Sequence, residues 1–132
     1  MQICTKFLHI VLIRYIIDEE MWREKYMDYG KFKILIVDDV QEVLDATAGN
    51  IEVIEAQAIT EINPEKALEF LKTNKVDLIL LDYFMPEMSG EEFVNKLREF
   101  DKNTVIYLHT GYADEIPSDE MMKKLNIQRL YK

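Results

Sequence analysis

Ile34-Leu35-Ile36-Val37-Asp38-Asp39 is four consecutive apolar residues running straight into two acids. A strand wetted on one face alternates apolar and polar residues, whereas a strand buried on both faces is apolar throughout. The same signature returns in Leu78-Ile79-Leu80-Leu81-Asp82, within a strand expected over 76–82. It returns again in Val105-Ile106-Tyr107-Leu108, within a strand expected over 104–110. Between these runs the spacing turns helical. Val43, Leu44, Thr47, Ile51 and Ile54 share one stripe over residues 41–54. Asn63-Pro64 is a helix start, with Asn as the cap and Pro in the first turn, and predicts a helix to about Asn74. Ser89 and Glu92 have capping-box spacing ahead of Phe93, Val94, Leu97 and Phe100. Ser118 can cap a short helix through Met121, Met122 and Leu125. A weak strand over 56–61 and a last one over 127–131 complete five strands alternating with four helices. That order predicts a parallel sheet with right-handed crossovers.

The chain has 132 residues, enough for one compact domain and too few for two full ones. It is 48% hydrophobic and 31% charged, which supports a core and argues against disorder. One cysteine, Cys4, excludes a disulfide framework and a cysteine-based zinc site within one chain. The net charge of -9 makes nucleic acid an unfavourable direct partner, because a phosphate backbone repels such a surface. This charge is unevenly placed. Residues 1–32 hold five Lys/Arg and five Asp/Glu, while residues 33–132 hold eleven against twenty.

Two segments of different character therefore meet near Gly30: an N-terminal extension, 1–30, and a domain, 31–132. Phe7–Ile17 is an apolar run interrupted by His9 and Arg14. A membrane-spanning helix needs about 20 apolar residues. Asp18-Glu19-Glu20 follows where a secretory signal would have small residues. No membrane insertion is expected, and the protein reads as cytoplasmic. Met21, Trp22, Tyr26 and Met27 continue the run near helical spacing, so the extension is expected to be helical. It would pack on its own domain or on a dimer mate. A lipid-surface role fits less well, because the polar face is not strongly basic.

Ligands of such sheets bind beyond the carboxyl ends of the strands. There the sequence places Asp38 and Asp39, Asp82, Thr110 and Lys132. A single strand-end Asp is more often a loop or helix cap than a ligand. Four strand ends of five carrying this set favour a site. Three neighbouring carboxylates repel one another unless a cation sits among them. Hard oxygen donors without His or Cys favour Mg²⁺, which would share its shell with a phosphate. A carboxylate so held can attack a phosphoryl group, a hydroxyl such as that of Thr110 can hydrogen-bond its oxygens, and Lys132 can supply positive charge. His9 and His109 are read as packing or surface residues, and the seven methionines and Trp22 as core or interface filler.

The combination resembles the response-regulator receiver domain of two-component signalling. The resemblance is carried by Ile34–Asp39, by Leu80-Leu81-Asp82-Tyr83-Phe84-Met85-Pro86-Glu87-Met88-Ser89-Gly90 and by Val105–Gly111, and it covers roughly 33–132. It implies a flavodoxin-like α/β three-layer sandwich and a signalling switch rather than a substrate-converting enzyme. By position, Asp82 matches the aspartate phosphorylated by a histidine kinase or phosphotransfer protein. Asp38, Asp39, Asp82 and the backbone carbonyl of Phe84 match the Mg²⁺ ligands. Thr110 matches the switch hydroxyl, Lys132 the phosphate-contacting lysine, and Pro86 and Gly90 the turn after the phosphorylation site. Glycine's backbone freedom is expected to be used in that turn.

Three departures accompany the match. Arg129 stands where the family has an aromatic switch residue, and Tyr131 should point to the other side of its strand. Gly111 replaces a commoner alanine. The chain stops at Lys132, where the family continues into a last helix. A truncated fragment, an N-terminal segment lying where that helix would be, or a misassigned start upstream of Met27 would each account for this. Two other functional classes compete with a phospho-accepting switch: a phosphorylation-independent interaction module, and an aspartyl-nucleophile enzyme of the haloacid-dehalogenase type. The last would want an aspartate where Phe84 stands.

Overall fold

The computed structural model describes residues 32–53, 56–109, 118–127 and 129–131. The expected N-terminal extension, 1–30, lies outside them. The strands are β1 (Lys33–Val37), β2 (Gln57–Glu61), β3 (Leu78–Asp82), β4 (Val105–His109) and β5 (Arg129–Tyr131). The helices between them are α1 (Gln41–Val53), α2 (Pro64–Thr73), α3 (Gly90–Arg98) and α4 (Asp119–Lys124). The sheet order is β2-β1-β3-β4-β5, and every pairing is parallel.

Alternation along the strands divides the apolar residues between two layers. Leu35, Val37, Ile79, Leu81, Ile106 and Leu108 face α2, α3 and the end of α4. Ile34, Ile36, Leu78 and Tyr107 belong to the other layer, with Leu44 and Ile51 of α1. Phe93, Val94 and Leu97 of α3 are fully buried. Burying a side chain of that size contributes about 1.5–3 kcal/mol.

The expected caps form. Asn63 Oδ1 accepts from the N–H groups of Glu65 and Lys66 at 2.9 and 3.2 Å. Ser89 Oγ accepts from Glu92 N at 3.1 Å, while the Glu92 carboxylate pairs with Lys96 at 3.4 Å. Ser118 Oγ accepts from Met121 N at 3.2 Å.

Three boundaries differ from expectation by two residues. β3 begins at Leu78 rather than Val76, because Asp77 instead ties the two strand starts together. Its N–H donates to Lys33 O and its Oδ2 accepts from Lys33 N, both at 2.9 Å. α3 ends at Arg98, leaving Phe100 43% exposed. The Arg98 guanidinium donates to the carbonyls of Leu125, Asp101, Thr104 and Asn126 at 2.8–3.0 Å. This one side chain joins the loop before β4 to the end of α4. β5 starts at Arg129 rather than Ile127, because Asn126 takes φ 53° just after α4. Asparagine tolerates that left-handed conformation, which turns the chain out of the helix.

Candidate functional site

Register brings the acids together. Val37 pairs with Leu81, so Asp38 and Asp82, one residue further on, emerge side by side from neighbouring strands. Asp39 is the next residue along. Carboxylate oxygens of Asp38, Asp39 and Asp82 all lie within 4.8 Å of one another. Asp38 is 6% exposed, and Asp39 and Asp82 are half-buried. Asp38 Oδ1 accepts from Val40 N at 3.0 Å, which turns the chain into α1. Asp38 N donates to Glu61 O at 3.4 Å, tying the end of β1 to that of β2. Asp82 Oδ1 accepts from Phe84 N at 3.3 Å.

The electrostatics are those of an uncompensated cluster. Burial pushes the Asp82 carboxyl from its ordinary 3.8 up to about 7, and the neighbouring charge of Asp38 pushes the same way. A hydrogen bond and charge from Asp39 add to the rise, while the Phe84 N–H opposes it. Like charges this close are stable when a cation compensates them, and three carboxylates are hard oxygen donors. The residues present therefore fit a Mg²⁺ ion.

Asp39 also lines one wall of a cleft of about 320 Å³ with Ile62, Asn63, Pro64, Met85, Pro86 and Glu87. The sequence reading missed this apolar rim. Its residues come from the loops after β2 and β3, and no periodicity marks them as neighbours. Gly90 is placed as expected, after the acidic strand end, but it serves another purpose. Its φ is not positive, so backbone freedom is not what it provides. A Cβ there would lie 2.8 Å from Tyr83 Cα and 3.3 Å from Asp82 O, so Gly90 permits α3 to start against the acidic turn. Gly90 N donates to Tyr83 O at 2.8 Å across that contact. Tyr83 and Phe84 pack edge to face, with ring centroids 4.9 Å apart.

The two remaining sequence candidates, Thr110 and Lys132, lie outside the described residues, as does the side chain of Arg129. The strands that lead to both candidates are paired, His109 with Tyr131. No helix among the described residues is long and apolar enough to cross a membrane.

A family model for the response regulator receiver domain matches residues 34–129. Among curated proteins, the chain is 31% identical over 106 residues to a cyclic di-GMP phosphodiesterase of Thermotoga maritima, covering 74% of this chain and 28% of that protein. It is 37% identical over 67 residues to the alkaline phosphatase synthesis transcriptional regulatory protein PhoP of Bacillus subtilis, covering 51% and 28%. The chain thus spans less than a third of the length of either relative. Among solved structures, the response regulator TrrA of Thermotoga maritima in complex with Mg(2+)-BeF is 27% identical, with a TM-score of 0.67 over 75% of this chain and 84% of that one. TrrA in complex with the histidine kinase ThkA gives a TM-score of 0.66 at 27% identity, over 76% and 84%.

Proposed function

We propose that this chain, which belongs to the response-regulator receiver family, accepts a phosphoryl group on Asp82 from a histidine kinase and so acts as a two-component signalling switch. The observation that carries the reading is the convergence of three carboxylates from the ends of β1 and β3. The solved relatives that carry Mg(2+)-BeF or a histidine kinase support it by analogy.

Asp38, Asp39, Asp82 and the Phe84 carbonyl would hold Mg²⁺. The ion would supply charge that neutralises the transferring group. The chain's own part is positioning. A carboxylate oxygen of Asp82 attacks phosphorus, the new bond is Asp82 O–P, and the bond that breaks joins phosphorus to the donor's imidazole nitrogen. Without the ion, the raised pKa keeps Asp82 protonated below neutral pH and a poor nucleophile. By the family resemblance, the Thr110 hydroxyl donates to a phosphoryl oxygen and the Lys132 ammonium pairs with another. The activity extends no further than the chain's own phosphorylation and dephosphorylation, in the cytoplasm where a kinase would meet it.

The test is incubation with acetyl phosphate and Mg²⁺ followed by intact-mass measurement. One added phosphoryl group is expected, with none on Asp82→Asn. Equal labelling of Asp82→Asn would move the acceptor elsewhere. Absence of labelling in the unsubstituted chain, by acetyl phosphate and by kinases alike, would favour an interaction module that does not use phosphorylation.

A further inference from the structure

At the amino-terminal ends of the strands, opposite the acidic edge, the protein has a cleft of about 730 Å³. Two loops wall it, residues 74–77 leading from α2 into β3 and residues 99–104 leading from α3 into β4. They are neighbours because Leu78 pairs with Val105. The base is apolar, with Leu71, Val76 and Leu78 buried. Phe100 lines it at 43% exposure, the only aromatic among the exposed large hydrophobics of the described residues. Five charged side chains line the same cleft: Lys72, Lys75, Asp77, Asp101 and Lys102. Three of them are engaged. Lys72 pairs with Glu69 at 2.6 Å, Asp77 Oδ2 accepts from Lys33 N, and Asp101 accepts from the N–H groups of Asn103 and Thr104 and the Thr104 hydroxyl. Among the described residues, the ammonium groups of Lys75 and Lys102 have no carboxylate partner. On a domain whose residues 33–132 hold eleven Lys/Arg against twenty Asp/Glu, this cleft reverses the sign.

We propose that this cleft docks an acidic peptide segment of a partner protein, with an apolar side chain of the segment against Phe100 and its carboxylates on Lys75 and Lys102. Charge complementarity sets the sign of the partner, because two lysines without carboxylates attract an anion. The half-exposed ring above an apolar base sets the need for an apolar anchor. A length of chain fits this shape better than a small molecule does. Small-ligand pockets enclose most of the ligand's surface, whereas Lys72, Thr73, Asn74, Lys75, Lys102 and Asn103 are all exposed and leave the cleft open on one side. Both walls are held before any partner arrives. Asp77 ties one to the start of β1, and Arg98 donates to Asp101 O and Thr104 O of the other. Docking on loops already fixed costs little ordering. The site is at the far end of the sheet from Asp82, so it acts independently of phosphoryl acceptance.

The test titrates the full chain with a short unlabelled peptide of Asp and Glu residues around one Leu-Phe pair, followed by amide NMR. Saturable shifts concentrated at amides 74–77 and 99–104 are expected, and added salt should weaken them. Lys75→Glu combined with Lys102→Glu should weaken binding about tenfold, as two exposed attractions become repulsions. Both side chains are exposed, so the fold should persist. Lys123→Glu combined with Lys124→Glu makes the same charge change on α4, outside the cleft, and should leave the affinity unchanged, as should Asp82→Asn. A peptide with Ala in place of Leu-Phe should bind several-fold more weakly. Equal binding of that peptide, or an equal loss in the α4 variant, would reduce the effect to a general attraction of anions and overturn the proposal. No saturable binding, or shifts centred elsewhere, would overturn it too. So would tighter binding through the same lysines to phosphatidylserine vesicles or a single-stranded oligonucleotide, which would assign the cleft to a different class of partner.

Discussion

Asp38 and Asp82 leave neighbouring parallel strands at the same level, because Val37 is paired with Leu81, and their carboxylate oxygens lie within 4.8 Å. Two like charges so placed make proton and metal binding compete, which has consequences for stability as well as for chemistry.

Without divalent cations, stability should fall as pH rises from about 4 to about 7. Asp82 in the folded chain keeps its proton up to about 7, whereas unfolded it loses it near 3.8. Between those values the folded state holds the extra proton, so raising pH favours unfolding. Thermal melts in EDTA across this range should show the decline, and Asp82→Asn should flatten it. Mg²⁺ should reverse the trend, with affinity rising through neutral pH. A pH-independent melting point in the unsubstituted chain would mean the acids are not coupled.

Gly90→Ala should destabilise the domain by about 1–3 kcal/mol, the usual range for a group forced into a packed site. Its methyl would meet Tyr83 Cα at 2.8 Å, which is backbone and cannot swing aside. Urea unfolding checks the stability. Phosphoryl labelling should fall too, because the same methyl presses on Asp82 O at 3.3 Å. Wild-type stability in the variant would show that α3 can shift without cost.

Arg98→Ala should cost at least about 2 kcal/mol, since hydrogen bonds from a charged donor contribute about 1.5–3 kcal/mol each and this side chain makes several. Arg98→Lys should recover little of the loss. An ammonium keeps the charge but lacks the planar fork that reaches carbonyls on two loops. Chemical denaturation of both variants measures the difference, and a lysine variant as stable as the parent would reduce the interaction to simple charge.

Asp101 supplies an acid-side effect of opposite sign to that of Asp82. Burial alone would raise its pKa, but the hydroxyl and N–H of Thr104, the Asn103 N–H and the Arg98 charge outweigh it and hold the carboxyl below its ordinary range. A lowered folded-state value contributes stability above the unfolded pKa, near 4, and that contribution disappears as pH falls through the lowered value. Asp101→Asn should therefore be less stable than the parent at pH 6, and the gap should narrow steadily as pH falls below about 4. A constant gap between the two melting curves would refute the ionic origin.

Where chemistry is local, the sequence was readable. Asn63-Pro64 and Ser118 announce their helices because a cap needs only its own turn. Asp38, Asp39 and Asp82 were legible as a cluster because each follows an apolar run and parallel strands end on one side. What escaped the reading is held by distant partners. Arg98 bonds to Leu125 O and Asn126 O, 27 and 28 residues away, and no spacing in the sequence marks it for that task. Gly90 stood in the expected place for a different reason, since its contact with Tyr83 depends on how α3 folds back on the turn. The start of β3 moved for the same kind of cause, through Asp77, whereas that of β5 moved for a local one, the left-handed turn at Asn126.

The pairing of Ile34 with Leu78 also governs how the protein acquires its shape. The partners are 44 positions apart along the chain, and everything between them must close into a loop before the central strands can meet. Closure of that length comes before any reward from contact, which slows folding of domains dominated by distant pairings. The acids add an obstacle, because Asp38 and Asp82 approach only as this pair zips to its end. Refolding should therefore speed up with magnesium, or with enough salt to screen the carboxylates, while the unfolding rate responds more to magnesium than to salt.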